Sequence, residues 1–160
     1  NYGETIPDFN SKEEELQYLS TKHTYAITDG KQVGVHPGAH YFTNGQRKGL
    51  AVGGTKEPLF VIATDVEKNV IYTGQGKDHP GLYRRGLYVK KEEIHWIRED
   101  LEISEDELLS YGANPQDFQL VREDESGLYV IFDNPQSAIT EGQFVAWYDG
   151  PELLGSGVIS

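Results

Sequence analysis

Apolar residues along this chain alternate with polar ones more often than they recur at helical spacing. Period-two alternation marks a strand with one buried face, whereas a helix repeats every three to four residues. The run "PLFVIATDVEKNVIYTGQG" holds two β-rich segments around the polar stretch Asp65–Asn69 and predicts a hairpin. "TYAITDGKQVGV" predicts another, turning at Asp29-Gly30. "DFQLV", "GLYVIFD", "GQFVAWYDG" and "ELLGSGVIS" read as short strands, with Asp149-Gly150 marking a last hairpin. The glycines of "GSGVIS" suggest a bulge or a close backbone approach. Helix signals are few. Ser11 ahead of "KEEELQYL" is a capping residue with acids in the first turn. In "SEDELLSYG", Ser104 and Glu107 form a capping box and Gly112 a stop. "HPGLYRRGLYV" is expected to be irregular and to cross between two units. The fold class is therefore mainly β with short helices, ending in a small barrel or sandwich.

Charge divides the chain. The net charge is −12, distributed as −4 over residues 1–30, +6 over 31–91 and −14 over 92–160. A basic middle beside an acidic end suggests two units, of which one accepts an anion. There is no cysteine, so disulfides, thiolate metal sites and cysteine nucleophiles are excluded within these residues. Methionine is absent too, which reads as a piece of a longer chain. The polar start is no secretory signal, and no apolar run approaches the ~20 residues of a membrane helix. A cytoplasmic location is expected.

Little catalytic chemistry is visible. His36 and His40 are four apart, but Pro37 and Gly38 between them break the helical geometry that makes such pairs chelate. His23, His79 and His95 have no acid at a ligand spacing, so no metal is expected. No glycine run has the spacing of a phosphate loop or dinucleotide fingerprint, so no cofactor is expected in this chain. What remains is "HYFTNGQRKGLAVGG". Gly45 and Gly49 bracket Gln46, Arg47 and Lys48, which can approach phosphate oxygens or a base edge. Tyr41, Phe42, Tyr72 and Tyr83, with Arg84 and Arg85, add aromatic and basic neighbours of the kind single-stranded RNA sites use. The same run reads equally as a solvated turn.

The blocks "GVHPGAHYFTNGQRKGLAVGG", "PLFVIATDVEKNVIYTGQGKDHPGLY", "IHWIRED" and "GLYVIFDNPQSAITEGQFVAWYDGPELLGSGVI" together resemble the bacterial tRNA-specific 2-thiouridylases. The resemblance runs from about Gly30 to Ile159, apart from residues 101–120. It implies a central β-rich domain followed by a carboxyl-terminal β-barrel. The division would be an acidic lead-in with a short helix at 1–22, a central domain at 23–90 and the barrel at 91–160. It also implies an amino-terminal ATP-pyrophosphatase domain that carries the nucleotide loop and working cysteines, so ATP belongs there. That enzyme adenylates a wobble uridine of tRNA and replaces its 2-oxygen with sulfur from a persulfide donor.

By resemblance, Gly45–Gly49 is the central domain's signature, with Gln46, Arg47 and Lys48 meeting either tRNA or the catalytic domain. Gln143, in "TEGQFV", matches a glutamine that touches tRNA. Three departures stand out. "SYGANPQDFQL" lacks the arginines of the family's tRNA-gripping strand, Glu141 stands where proline is usual, and Asn44 replaces an aliphatic residue. The chain thus reads as the accessory, tRNA-binding part of a thiolating enzyme. The alternative is a scaffold piece that docks on the catalytic domain without binding RNA; a free-standing small-molecule enzyme lacks a converging acid, base and nucleophile.

Overall fold

The computed structural model describes residues 7–97, 109–113, 116–123, 126–149 and 151–160, with backbone alone for 109–113, 116–123 and 149. The chain divides into two compact units: Lys22–Tyr83, and Arg84–Ser160 together with the described part of Gly3–Thr21.

In the first unit, β1 (Leu59–Asp65) and β2 (Val70–Gln75) form the antiparallel hairpin expected from the alternation, with a bulge between Val61 and Ala63. The connecting turn is closed by Asp65, whose Oδ1 accepts from the Lys68 N–H at 2.9 Å. A long irregular segment wraps the hairpin and inserts Phe42 and Leu50 beside Leu59 and Val61, with Val52 and Ile71 at the margin. This core is small. The hairpin expected around Asp29-Gly30 does not form. Asp29 Oδ2 instead accepts from the Ala26 N–H at 2.7 Å, closing a 3-10 turn over Ile27–Asp29. Local side-chain bonding has outcompeted strand pairing. Val35, meant for a buried strand face, is 83% exposed.

The second unit carries the one α-helix among the described residues, α1 (Lys12–Ser20). Ser11 caps it as expected, accepting from the Glu14 N–H at 3.2 Å. Three successive glutamates in the first turn favour the positive end of the helix dipole. Leu16 is buried on the face that meets β7 (Gly127–Ser137). A four-stranded sheet has the order β3 (Tyr83–Lys90), β7, β6 (Gln116–Glu123), β5 (Leu109–Ala113). A three-stranded sheet has the order β4 (His95–Trp96), β9 (Glu152–Val158), β8 (Phe144–Asp149).

Leu87, Val89, Leu128, Val130, Trp147, Leu154 and Ile159 form the core that both sheets share. Each such buried side chain contributes roughly 1.5–3 kcal/mol, and truncation of Leu128 to Ala would cost about 2–5 kcal/mol. An isolated bridge, Val89 to Ile159, and the Ser160 N–H to the Tyr88 carbonyl at 2.9 Å link the sheets at one end, and among the described residues they do not close into a barrel. The close approach read from "GSGVIS" is present: a Cβ on Gly155 would lie 2.7 Å from Trp147 Nε1 and 2.8 Å from the His95 carbonyl oxygen.

Two further sequence expectations are corrected. "HPGLYRRGLYV" is not irregular beyond its 3-10 turn at Pro80–Leu82; from Tyr83 it is strand β3, because Leu87 and Val89 alternate inward. The helix expected to stop at Gly112 is contradicted at its end, since Leu109–Ala113 pairs with Gln116–Leu120 as a strand. Its start at Ser104 and Glu107 lies outside the described residues, as does Gly150 of the last turn. That turn does join paired strands, with Asp149 opposite Glu152.

Candidate nucleic-acid interface

The Gly45–Gly49 loop is built from the backbone outward. Gln46 N–H donates to the Thr43 carbonyl at 3.0 Å, closing a turn whose third residue, Gly45, has φ 83°. Only glycine takes that angle without steric cost. The turn is fastened to the edge of β1 that faces away from β2. Gly45 N–H donates to the Val61 carbonyl at 2.8 Å, and Val61 N–H donates to the Gln46 carbonyl at 2.9 Å.

The Gln46 side chain is used inside the loop. Its Oε1 accepts from the Thr43 N–H at 3.1 Å, and its Nε2 donates to the Lys48 carbonyl at 2.8 Å. Arg47 and Lys48 sit between these fastenings, both exposed. Neither side chain makes a hydrogen bond or ion pair with the described residues. From Gly30 to Lys56 there are four cationic side chains and no acid. The loop therefore presents two unsatisfied cations from a fixed backbone, an arrangement suited to anionic oxygens.

Leaving the loop, Gly49 has φ 86° and Ala51 has φ 51°. A left-handed alanine is strained, and the buried Leu50 between them holds it in place. Sequence alone gave no sign of this.

The aromatic neighbours sort differently from the sequence reading. Phe42 is core. Tyr72 stacks on Tyr25 with centroids 5.4 Å apart, and Tyr83 Oη donates to the Lys77 carbonyl at 3.1 Å. Tyr41 is the exposed one, at 65%, and its ring lies against His40. His40 was visible in the sequence only as a metal candidate; its partner is an aromatic ring. His36 likewise packs edge-on against Phe42.

Gln143 belongs to the second unit. It is exposed in the turn that precedes β8, where Gly142 N–H donates to the Ile159 carbonyl at 2.8 Å and Ile159 N–H donates to the Gln143 carbonyl at 2.9 Å. The backbone is thus fixed while the side chain faces outward. Next to it Phe144 is 78% exposed. Arg84, half-buried, donates through Nη2 to the Ser20 carbonyl at the end of α1. Burial lowers its guanidinium pKa, and the Glu141 carboxylate opposes that.

The glycine-rich loop leads into extended chain rather than a helix N-terminus, and α1 opens on Glu13, Glu14 and Glu15, which would repel phosphate.

Two family models match. The one described as tRNA methyl transferase PRC-barrel domain covers residues 16–75, and the one described as aminomethyltransferase beta-barrel domain covers 84–159. The tRNA-specific 2-thiouridylase MnmA of Christiangramia forsetii is 61% identical across 100% of this chain and 42% of its own length. That of Flavobacterium johnsoniae is 56% identical across 94% of this chain and 39% of its own length. For Pseudomonas aeruginosa the figures are 41%, 82% and 36%. The chain spans about two fifths of the length of the first two relatives.

Proposed function

The chain belongs to the tRNA-specific 2-thiouridylase family, and from that premise we propose that it is the tRNA-holding part of a tRNA-uridine 2-sulfurtransferase. On this reading it positions the substrate, while adenylation and sulfur transfer occur in an ATP-pyrophosphatase domain supplied by a persulfide donor. The cytoplasm is then the compartment in which it meets tRNA. The observation that carries the reading is the pair Arg47 and Lys48, exposed and unpaired on a backbone fastened to β1. Gln143, outward-facing from a fixed turn, offers a polar contact in the second unit.

Phosphate contacts dominate nucleic-acid affinity and make it salt-dependent. Titration of tRNA at low and moderate salt should therefore show weak binding that falls with salt. Arg47→Ala and Lys48→Ala should each lower the slope of log affinity against log salt by about 1. Affinity indifferent to Arg47→Ala, Lys48→Ala and Gln143→Ala would remove the assignment.

A second reading, docking on the catalytic domain, is favoured by the outward face of β8. Phe144 and Tyr148 are exposed there on an edge strand, with the exposed acids Glu141 and Glu152 close in sequence. That setting suits a protein surface better than a polyanion. Capture of the ATP-pyrophosphatase domain supplied in trans, weakened by Phe144→Ala, would support it.

A further inference from the structure

Immediately before the cationic loop, the rings of His40 and Tyr41 lie with centroids 4.0 Å apart and planes at 43°. Both residues are exposed, so they form a two-ring surface open to solvent rather than part of a core. The arrangement is built. A Cβ on Gly38 would lie 2.6 Å from His40 Cε1 and 3.3 Å from Tyr41 Cδ2, so both rings rest on a backbone that only glycine leaves open. The 3-10 turn over Ala39–Tyr41 that carries them is itself anchored: Ala39 N–H donates to Asn69 Oδ1 at 2.8 Å. Ala39 is buried beneath it.

Five residues separate Tyr41 from Arg47, and the whole stretch from Gly30 to Lys56 is free of acids. We propose that His40 and Tyr41 form a stacking platform for one unpaired nucleobase of an RNA strand whose phosphates are held by Arg47 and Lys48. This inference rests on the tRNA-binding reading above and adds a base contact to it. Every base has a π-face, so such a platform selects unpaired over paired nucleotides without reading sequence. The flanking cations favour a polyanion over an apolar peptide as occupant.

The test uses the 160-residue chain with three probes: tRNA, a fluorescently labelled oligouridylate of about ten nucleotides, within the site sizes such grooves cover, and an RNA duplex of equal length. The expected result is preference for the single strand over the duplex. Tyr41→Ala should weaken single-strand binding about 5-fold or more without changing the salt slope, because no charge is removed. Tyr41→Phe should restore affinity. Tyr41 is largely exposed, so these variants should keep the wild-type melting temperature. Binding that is sensitive to Arg47→Ala but indifferent to Tyr41→Ala would overturn the platform and leave the loop reading standing. Equal losses on single strand and duplex would also overturn it. Absence of RNA binding by the unaltered chain would overturn both readings. If Tyr41→Ala spared RNA but abolished capture of the ATP-pyrophosphatase domain, the pair would be a protein-docking contact instead.

Discussion

Gln46 Nε2 donates to the carbonyl oxygen of Lys48 at 2.8 Å, so the side chain bridges over Arg47 and leaves that guanidinium outside the loop. With Oε1 held by the Thr43 N–H, the amide braces the loop at both ends. Gln46→Ala removes two hydrogen bonds, each contributing about 0.5–1.5 kcal/mol net. Chemical denaturation should show a loss of roughly 1–2 kcal/mol, the exposed position allowing water to recover part. RNA affinity should fall less than with Arg47→Ala, because the charge stays. A larger affinity loss than Arg47→Ala would assign Gln46 a direct contact.

The backbone angles around the loop make opposite predictions at two positions. Gly45→Ala forces a side chain into φ 83° with nothing within 4 Å to clash, so the cost is backbone strain alone, about 1–2 kcal/mol. Ala51 already bears such strain at φ 51°. Ala51→Gly should relieve about 1–2 kcal/mol against a chain-entropy cost of roughly 0.5–1 kcal/mol. Melting temperature should therefore drop for Gly45→Ala and rise slightly for Ala51→Gly. A destabilised Ala51→Gly would mean the strain is not where the angle places it.

His79 predicts a pH dependence. Its Nδ1 accepts from the Gly81 N–H at 3.2 Å, and burial holds its imidazole below the ordinary histidine value. The unfolded chain then takes up a proton before the folded one does. This group's contribution to stability is full above the unfolded value, about 6.5, and declines as pH falls from there toward the lowered folded value. Measured between neutral and mildly acidic pH, wild type should lose stability more steeply than His79→Asn. Parallel curves would sink the assignment, and a folded-state NMR titration of His79 above the ordinary value would do the same.

Arg84 ties α1 to the sheet it lies on. Arg84→Met keeps much of the buried stem but removes a charged donor to the Ser20 carbonyl, a contact of about 1.5–3 kcal/mol. Hydrogen exchange should quicken in α1 while the amides of β1 and β2 remain protected. Uniform loss of protection across both units would contradict a local tether.

What the sequence made legible was what neighbouring residues decide. The Ser11 cap, the Leu59–Gln75 hairpin and the run of strands after Gly127 follow from local alternation and turn chemistry. Failures came where a contact elsewhere decided. Asp29 looked like a hairpin turn but closed a 3-10 turn on Ala26. Tyr83–Lys90 looked broken by Gly86, yet that glycine is what lets Val130 and Leu19 approach: a Cβ there would sit 3.1 Å and 3.4 Å from their carbonyl oxygens. At the candidate interface, residue types were readable but their duties were not. Nothing in "GQRKG" separates an amide that braces the loop from cations that face outward, and nothing in "AHYF" says that His40 pairs with Tyr41 while Phe42 is buried.

The Arg84–Ser20 contact has a topological meaning. The chain leaves the second unit after Thr21 and re-enters it at Arg84, so the 62 residues of Lys22–Tyr83 are an insertion within another folding unit. During synthesis at about 5–20 residues per second, α1 must wait roughly 6–23 s for β7, the strand it covers, which ends 117 residues further on. The inserted unit has its own hairpin and core and can form in that interval. Were it to fold in that interval, it would draw the two ends of the interruption together and shorten the loop that α1 must close. Synthesis runs from α1 onward, but on this arrangement folding would start in the inserted unit and reach α1 last.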